Sequence, residues 1–445
     1  MLPAGANPAT TRRAFTGVYE FDDLQPDTPH EITVTANGET QKLETRTLPD
    51  AIPDDLDRWF NVLLVSCFHQ AEDRGGLAST IVSQMSAMTK PHLTFLAGDQ
   101  VYLDLPTLQN FPDDMRWLAD KFERDYVLNW AGPLAYTGVL KAAPSVSVPD
   151  DHEYWNNFPH ASTIVQNSWS EGSREHWRLA AAAMFEGFQL PYPAKVGEAI
   201  EIDVKPLAFF LADTRTDKDP DRKFTMSLAE RQQLDRWVTR VIDEKKFGVF
   251  LSGQSLFRTP ARPLAGVESD YAVGDYELPD YGDFPEIVTS LRRLADAGRP
   301  VLCLTGDVHW GRVVTAQNVA TSRMSFAEVI SSPASLVSTV GVDQAKKIIN
   351  VIGGLFGKKN DWPRHSSPEK PPDFLASNVL GKAFHCEQVG KLPSGDYPQR
   401  GNHVAMLSFR QHAGGVELLI KYWPISPDAR IGRPVEMKAI DLTNA

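Results

Sequence analysis

The chain has 445 residues, of which 42% are hydrophobic and 23% charged, with a formal net charge of −12 and a sequence pI near 5.4. That length suits one large or two domains of ordinary globular composition, and the acidic balance argues against non-specific binding to nucleic acid or an anionic membrane. Cys67, Cys303 and Cys386 are too few and too dispersed for a disulfide framework, and no apolar run reaches the roughly 18 residues that a membrane span needs.

Thr11-Arg12-Arg13-Ala14-Phe15 looks like the start of a twin-arginine export signal. An apolar core should follow such a start, but Gly17-Val18-Tyr19-Glu20-Phe21-Asp22-Asp23 alternates and carries acids. The compartment stays open: cytoplasmic as the chain stands, exported if an upstream signal has been removed. Residues 16–48 alternate apolar and polar around Val18–Phe21, Ile32–Thr35 and Leu43–Thr47, with turns at Asp22–Pro29 and Ala36-Asn37-Gly38. Three strands form a sheet face but not a sandwich. Leu48–Pro53 reads as a linker, which divides the chain into an all-β segment, 1–53, and a main domain, 54–445.

From residue 61 the character changes. Asn61–Ser66 is a continuous apolar run, as in a strand buried on both faces. A helix over 77–89 follows, then a buried strand over His92–Ala97, a mostly helical aromatic-rich stretch over 113–141, and a short β run over Pro144–Pro149. Next come a helix over 172–188, a strand over Leu207–Ala212, a helix over 227–244, a strand over Gly248–Ser252, a helix over 285–297 and a strand over Pro300–Thr305. The tail adds strand-like runs at 326–330, 403–409 and 416–423, and 358–372 reads as a Lys/Pro-rich loop.

Each buried strand ends in side chains that bind cations or phosphate: Cys67 and His69, Asp99 and Tyr102, Asp150–Asn157, Asp213 and Arg215, Gln254, and Asp307 and His309. In α/β sheets the C-terminal strand ends form the site, and the pattern predicts that these six ends converge on one sheet edge. Asp150-Asp151-His152-Glu153-Tyr154-Trp155-Asn156-Asn157 is the densest of them. Clustered carboxylates repel unless a cation or protons intervene. The stretch reads either as a metal site with a catalytic histidine or as a solvated acidic turn, and the other strand ends favour the first.

Gly98-Asp99-Gln100-Val101-Tyr102, Asp150–Glu153 with Asn156-Asn157, Asp213-Thr214-Arg215 and Leu304–His309 resemble, in order, the motifs of PhoD-like alkaline phosphatases and phosphodiesterases. These belong to the calcineurin-like metallophosphoesterase superfamily. The resemblance runs from about residue 61 to the tail. It implies an α/β fold, a two-sheet sandwich flanked by helices (αββα) after a short N-terminal all-β segment, with two metal ions at the strand ends. It implies Asp99 as the bridging carboxylate, Tyr102 as a phenolate ligand, Cys67 as a thiolate ligand, and Asp151, Asn157, Asp307 and His309 as further ligands. Asn156 is the alternative to Asn157, and His69 is either a ligand or a partner of one. His152 would give a proton to the leaving oxygen or hydrogen-bond the phosphoryl oxygens, oriented by Glu153 or Asp150. Arg215 would clamp phosphate, unless it pairs structurally with Asp213. The carboxylates and phenolate favour hard ions, Fe³⁺ with Ca²⁺, while Mn²⁺, Mg²⁺ and Zn²⁺ also suit the set. The implied activity is hydrolysis of a small-molecule phosphate ester. The alternatives are hydrolysis of another ester at the same centre, or a metal-bearing binding or scaffold protein without turnover. Oligomeric state has no signal.

Other motifs carry less. Gly353–Lys359 lacks the spacing of a phosphate loop, and no Gly-x-Ser-x-Gly is present. Gly401-Asn402-His403 falls out of order for a metal motif and reads as a strand start. Asp270, Asp275, Asp280 and Asp283 lack EF-hand spacing and suggest a lid loop over 260–284. Cys303 and Cys386 read as structural.

Overall fold

The computed structural model describes residues 19–36, 38–107, 111–132, 135–162, 165–190, 194–257, 277–307, 309–337, 383–390, 401–412 and 414–442. The arginine pair at 12–13, Asp270, Asp275, Gly353–Lys359 and the loop over 358–372 lie outside the described residues.

The first strands in chain order are β1 (Pro29–Ala36), β2 (Glu39–Arg46), β3 (Phe60–Val65), β4 (Leu93–Ala97), β5 (Ser145–Val148), β6 (Ile200–Val204), β7 (Leu207–Leu211) and β8 (Phe247–Leu251). They are followed by β9 (Val301–Thr305), β10 (Arg312–Asn318), β11 (Met324–Ile330), β12 (Phe384–Gln388), β13 (His403–His412), β14 (Gly415–Pro424), β15 (Val435–Glu436) and β16 (Ile440–Asp441). The helices are α1 (Leu77–Ser83), α2 (Met115–Tyr126), α3 (Thr137–Leu140), α4 (Glu171–Phe188), α5 (Leu228–Asp243) and α6 (Phe284–Asp296).

Two large sheets face each other. One runs β15-β14-β13-β3-β4-β5, with β16 also on β14; the other runs β12-β10-β11-β9-β8-β7-β6. Each has a parallel centre, β3-β4-β5 and β11-β9-β8-β7, with antiparallel strands outside it. The continuous apolar runs follow from this, because strands here are covered on both faces. Val62, Leu64 and Phe95 point inward and meet Phe209, Val249, Leu251 and Leu304 of the facing sheet. Leu63, Val65 and Leu96 point outward, against Ala78, Ile81 and Val82 of α1. Phe210 and Phe250 pack outward against Trp237 and Val238 of α5 and Leu291 of α6. The result is the αββα sandwich expected from the sequence.

Three expectations change. The six strand ends do not share one sheet edge: β3, β4 and β5 lie in one sheet and β7, β8 and β9 in the other. The site is therefore the rim where two sheets meet. Among its described residues the N-terminal segment holds one hairpin, β1 with β2, rather than three strands. Tyr19 and Phe21 are exposed and find no strand partner among the described residues. The helix over 77–89 stops at Ser83, where turns at Met85 and Thr89 take over. Strands β6, β10 and β12 were not foreseen, and each is antiparallel to its neighbours near a sheet edge. The segment after the hairpin is tied to the main body, since Ile52 N–H donates to the Lys205 carbonyl and Lys205 N–H to the Asp50 carbonyl, both at 2.8 Å.

Candidate metal centre

Loop geometry at the sandwich rim brings the ligand-type side chains together. Cys67 follows β3, Asp99 follows β4, Asp150 and Asp151 follow β5, and Asp307 follows β9. Cys67, Asp99, Asn157, Asp307 and His309 have φ of 54°, 56°, 69°, 60° and 62°. Left-handed backbone at such residues costs roughly 1–2 kcal/mol each and persists where the surroundings over-determine it. Gly306 explains how β9 reaches the other sheet: a Cβ there would overlap the Ser66 side chain and the Ala97 carbonyl. Asp307 N–H then donates to Ser66 Oγ at 3.0 Å, which fixes Asp307 against the ends of β3 and β4.

Glu153 fastens the opposite loops. Its carboxylate accepts from the N–H groups of Asp99 (2.9 Å), Gln100 (2.6 Å) and Asp150 (2.9 Å). Residues Asp151–Glu153 form a single 3₁₀ turn that presents Asp151 and His152 together. Trp177 of α4 supports the turn through Nε1, which donates to the Tyr154 carbonyl at 2.6 Å.

The resulting cluster is buried and acidic. Ligand oxygens of Asp99, Asp150, Asp151 and Asp307 lie within 4.8 Å of one another, as do ligand atoms of Asp99, Asp151 and His152. Burial, and then the neighbouring acids, hold the Asp99 and Asp307 carboxyls well above the usual range, although His152 opposes this at Asp99 and Arg215 at Asp307. Burial also raises the Cys67 thiol, as do Asp99 and Asp307. Cys67 Sγ lies 3.4 Å from Asp99 Oδ2 and 3.1 Å from the Ser66 and Ser332 hydroxyls. The Tyr102 phenol is fully buried and pushed up by burial, then by Cys67 and Asp99. Groups held neutral by burial and mutual repulsion are what a cation reverses, because it stabilises every anionic form at once. Their oxygen, imidazole and thiol donors are of the types that hold metal ions.

His152 is held by a residue the sequence did not single out. Its Nδ1 lies 2.9 Å from Asp104 Oδ1, and Asp104 Oδ2 accepts from Asn156 N–H at 3.0 Å. Asp104, and neither Glu153 nor Asp150, is therefore the orienting acid. Burial works against the imidazolium, but Asp104, Asp151 and Asp99 outweigh it and raise His152 well above its ordinary value. The only sequence hint of Asp104 is its position two residues after Tyr102.

Arg215, expected to clamp phosphate or pair with Asp213, is committed elsewhere within the fold. Nε donates to Asp150 Oδ1 at 2.6 Å, Nη2 contacts the same oxygen, and Nη1 donates to the Phe158 carbonyl at 2.8 Å. Asp213 instead caps its own loop, accepting from Arg215 N–H and Thr216 N–H. Lys218 is a second buried cation that the sequence did not flag. Its ammonium donates to Gln254 Oε1 at 2.8 Å and sits 4.6 Å from the Tyr281 ring centroid. Burial and Arg215 lower it, while Asp150, Asp151 and Asp307 pull the other way.

The remaining candidates spread around this centre. Asn157 is buried, and its N–H donates to Asp151 Oδ2 at 2.6 Å; Asn156 is partly exposed. His309 follows Asp307, with its N–H on Ser332 Oγ at 3.2 Å, and belongs to neither compact group. His69 packs edge-on against Tyr102, ring centroids 5.6 Å apart, and is also outside both groups. His403 opens β13, as its out-of-order position suggested, and Asn402 Oδ1 accepts from Leu336 N–H at 3.1 Å. Asp280 and Asp283 are structural: Asp280 caps a 3₁₀ turn, and Asp283 accepts from the N–H groups of Thr225 and Met226.

By sequence, no family model and no curated protein matches the chain. By structure, PhoD aligns over 94% of this chain and 78% of its own length, with a TM-score of 0.56 and 15% sequence identity. Purple acid phosphatase PPD1 from yellow lupin (Lupinus luteus) seeds aligns over 94% of this chain and 60% of its own, at TM-score 0.47 and 11% identity. A dimetal phosphatase from Danio rerio aligns over 87% of this chain and 100% of its own, at TM-score 0.39 and 10% identity. The likeness to PhoD is one of fold, and it agrees at that level with the resemblance read in the sequence motifs.

Proposed function

We propose that this chain is a metal-dependent phosphoric ester hydrolase of the PhoD-like kind. The observation that carries the reading is the buried Asp99/Asp150/Asp151/Asp307 cluster with His152 beside it, at a rim where two parallel sheet centres end. The order of the motifs and the fold shared with PhoD support it.

Two cations would be held by Asp99 between them and by Asp151, Asp307, Tyr102, Cys67, Asn157 and His309 around them. Fe³⁺ with Ca²⁺ is the pairing the hard donors favour, with Mn²⁺, Mg²⁺ and Zn²⁺ as substitutes. When bound, the ions supply an activated water and neutralise charge on the phosphoryl group. The protein's own groups do the rest. Asp104 holds His152 by Nδ1, so the ring's other nitrogen, Nε2, carries the proton for the leaving oxygen, and the Asp104 charge stabilises the imidazolium before transfer. Arg215 keeps Asp150 in register and, with Lys218, adds positive charge beside the acids. The substrate is a small phosphate ester.

The test is metal analysis together with a monoester and diester panel on one preparation. About two ions per chain and turnover of aryl phosphates are expected. Metal content with no ester turned over would favour a binding protein. Hydrolysis of carboxylic but not phosphoric esters would favour the other chemistry. If iron is present, a visible charge-transfer band should weaken in Tyr102→Phe, and a colourless protein holding zinc alone would sink the ferric assignment.

A further inference from the structure

Beside the acidic cluster lies a cavity of about 570 Å³ whose walls include His69, Ala71, Tyr102, Leu105, Thr107 and Leu128. It shares Tyr102 with the centre, and the Tyr102 and His152 rings lie 4.2 Å apart. Of its polar wall groups, the Asn129 amide is already engaged: Oδ1 accepts from Gln70 N–H at 3.0 Å, and Nδ2 donates to the Asp125 carbonyl at 2.9 Å. The Asp125 carboxylate is paired with Lys121 Nζ at 2.6 Å. Among the described wall residues there is no lysine or arginine to receive a second phosphate.

We propose that this cavity binds the alcohol portion of the substrate, and that the preferred substrates are phosphate monoesters of uncharged, apolar alcohols, alkyl or aryl. The inference rests on the phosphoesterase reading and adds the substrate class. Its geometry follows from His152. A leaving oxygen that takes the His152 proton carries its alcohol on the His152 side of the phosphorus. Tyr102 borders that side and forms one wall of the cavity. The volume is within the range of pockets that enclose a small organic group, and each methylene it removes from water is worth up to about a fourfold gain.

The test uses the metal-loaded full chain and a series of methyl, butyl, hexyl and phenyl phosphates, with kcat/KM read for each. A rise of two- to fourfold per methylene up to the filled cavity is expected. In Ala71→Trp, which fills the cavity from an exposed wall, and Leu128→Asp, which charges it, the hexyl and phenyl esters should fall at least tenfold while methyl phosphate stays within twofold. A flat series in the native chain, or equal losses for methyl and hexyl esters in both variants, overturns the proposal. Calorimetric titration with methyl- and hexylphosphonate separates the two readings. If no ester is hydrolysed, the phosphoesterase reading fails; tighter binding of hexylphosphonate, lost in Ala71→Trp, then still supports the cavity, and equal or absent affinities overturn it.

Discussion

At the scale of single residues, Asp104 and His152 form the most consequential pair. Asp104 is fully buried and divides its two oxygens between the His152 ring and the Asn156 backbone. Asp104→Asn keeps the size but loses the charge that favours imidazolium, so kcat should fall about ten- to hundredfold with metal content retained. His152→Ala should cost about 10²–10⁴-fold in kcat, and full activity in that variant would remove His152 from the mechanism. A second histidine governs stability. His403 is fully buried, with Nδ1 on the Gly401 carbonyl at 2.7 Å, and burial lowers it to about 4. Its unfolded value is near 6.5, so the unfolded chain takes up the proton first as pH falls. The stability this site contributes is fully present above about pH 6.5 and is lost progressively toward pH 4, by about 3 kcal/mol in all. Urea unfolding at pH 7 and pH 4.5 should show the loss, and His403→Gln should flatten that part of the slope.

At the scale of elements, the parallel strands were the most legible part of the chain. The Val62–Val65 core of the run Asn61–Ser66 and the whole of Leu207–Ala212 are apolar because inner and outer faces are both covered, and the ends of both strands fell within a residue or two of the reading. The outer antiparallel strands β6, β10 and β12 were missed: β6 and β12 are short and half-exposed, and β10 is largely buried but has only a two-residue apolar run, Val313-Val314, among polar residues. Val18–Phe21 failed in the opposite sense: it alternates as a strand should, but Tyr19–Phe21, its described part, pairs with no strand among the described residues. The element that matters most for the site is the junction after β9. Gly306 meets Ser66 and Ala97 across the two sheets, and Gly306→Ala should force them apart. Overpacking of this kind costs about 1–3 kcal/mol, and the displacement of Asp307 should weaken metal binding at least tenfold, measured by competition with a chelator. Unchanged affinity would mean that the close approach does not set the position of Asp307.

At the scale of the whole molecule, a cation bound at the centre would couple its binding to stability. Asp99, Asp150, Asp151 and Glu153 are buried, and Asp307 half-buried, around two buried cations, Arg215 and Lys218. An ion bound only by the folded chain stabilises it by about 4 kcal/mol at a thousandfold excess over its dissociation constant. Thermal unfolding should therefore move upward on metal addition and return with a chelator. Asp99→Asn replaces a carboxyl whose charged form burial and the neighbouring acids disfavour with a neutral amide, whose Oδ1 can still accept from His152 N–H. The metal-free variant should melt above the metal-free native chain and show little further shift on adding metal. A metal-free variant that melts lower would show that the repulsion is not what strains the centre.

The sequence by itself determined the alternation of buried strands and helices, the ligand-type residues at the strand ends, and their order along the chain. Those are local facts, set by periodicity and by which side chains a core will not hold unpaired. Only the tertiary structure decided that the ends belong to two sheets, that Glu153 ties loops while Asp104 holds His152, that Arg215 pairs with Asp150, and that Lys218 is buried beside the acids. Each of those depends on contacts between residues dozens to hundreds of positions apart, and loop spacing alone carries no record of which carboxylate a given cation will meet.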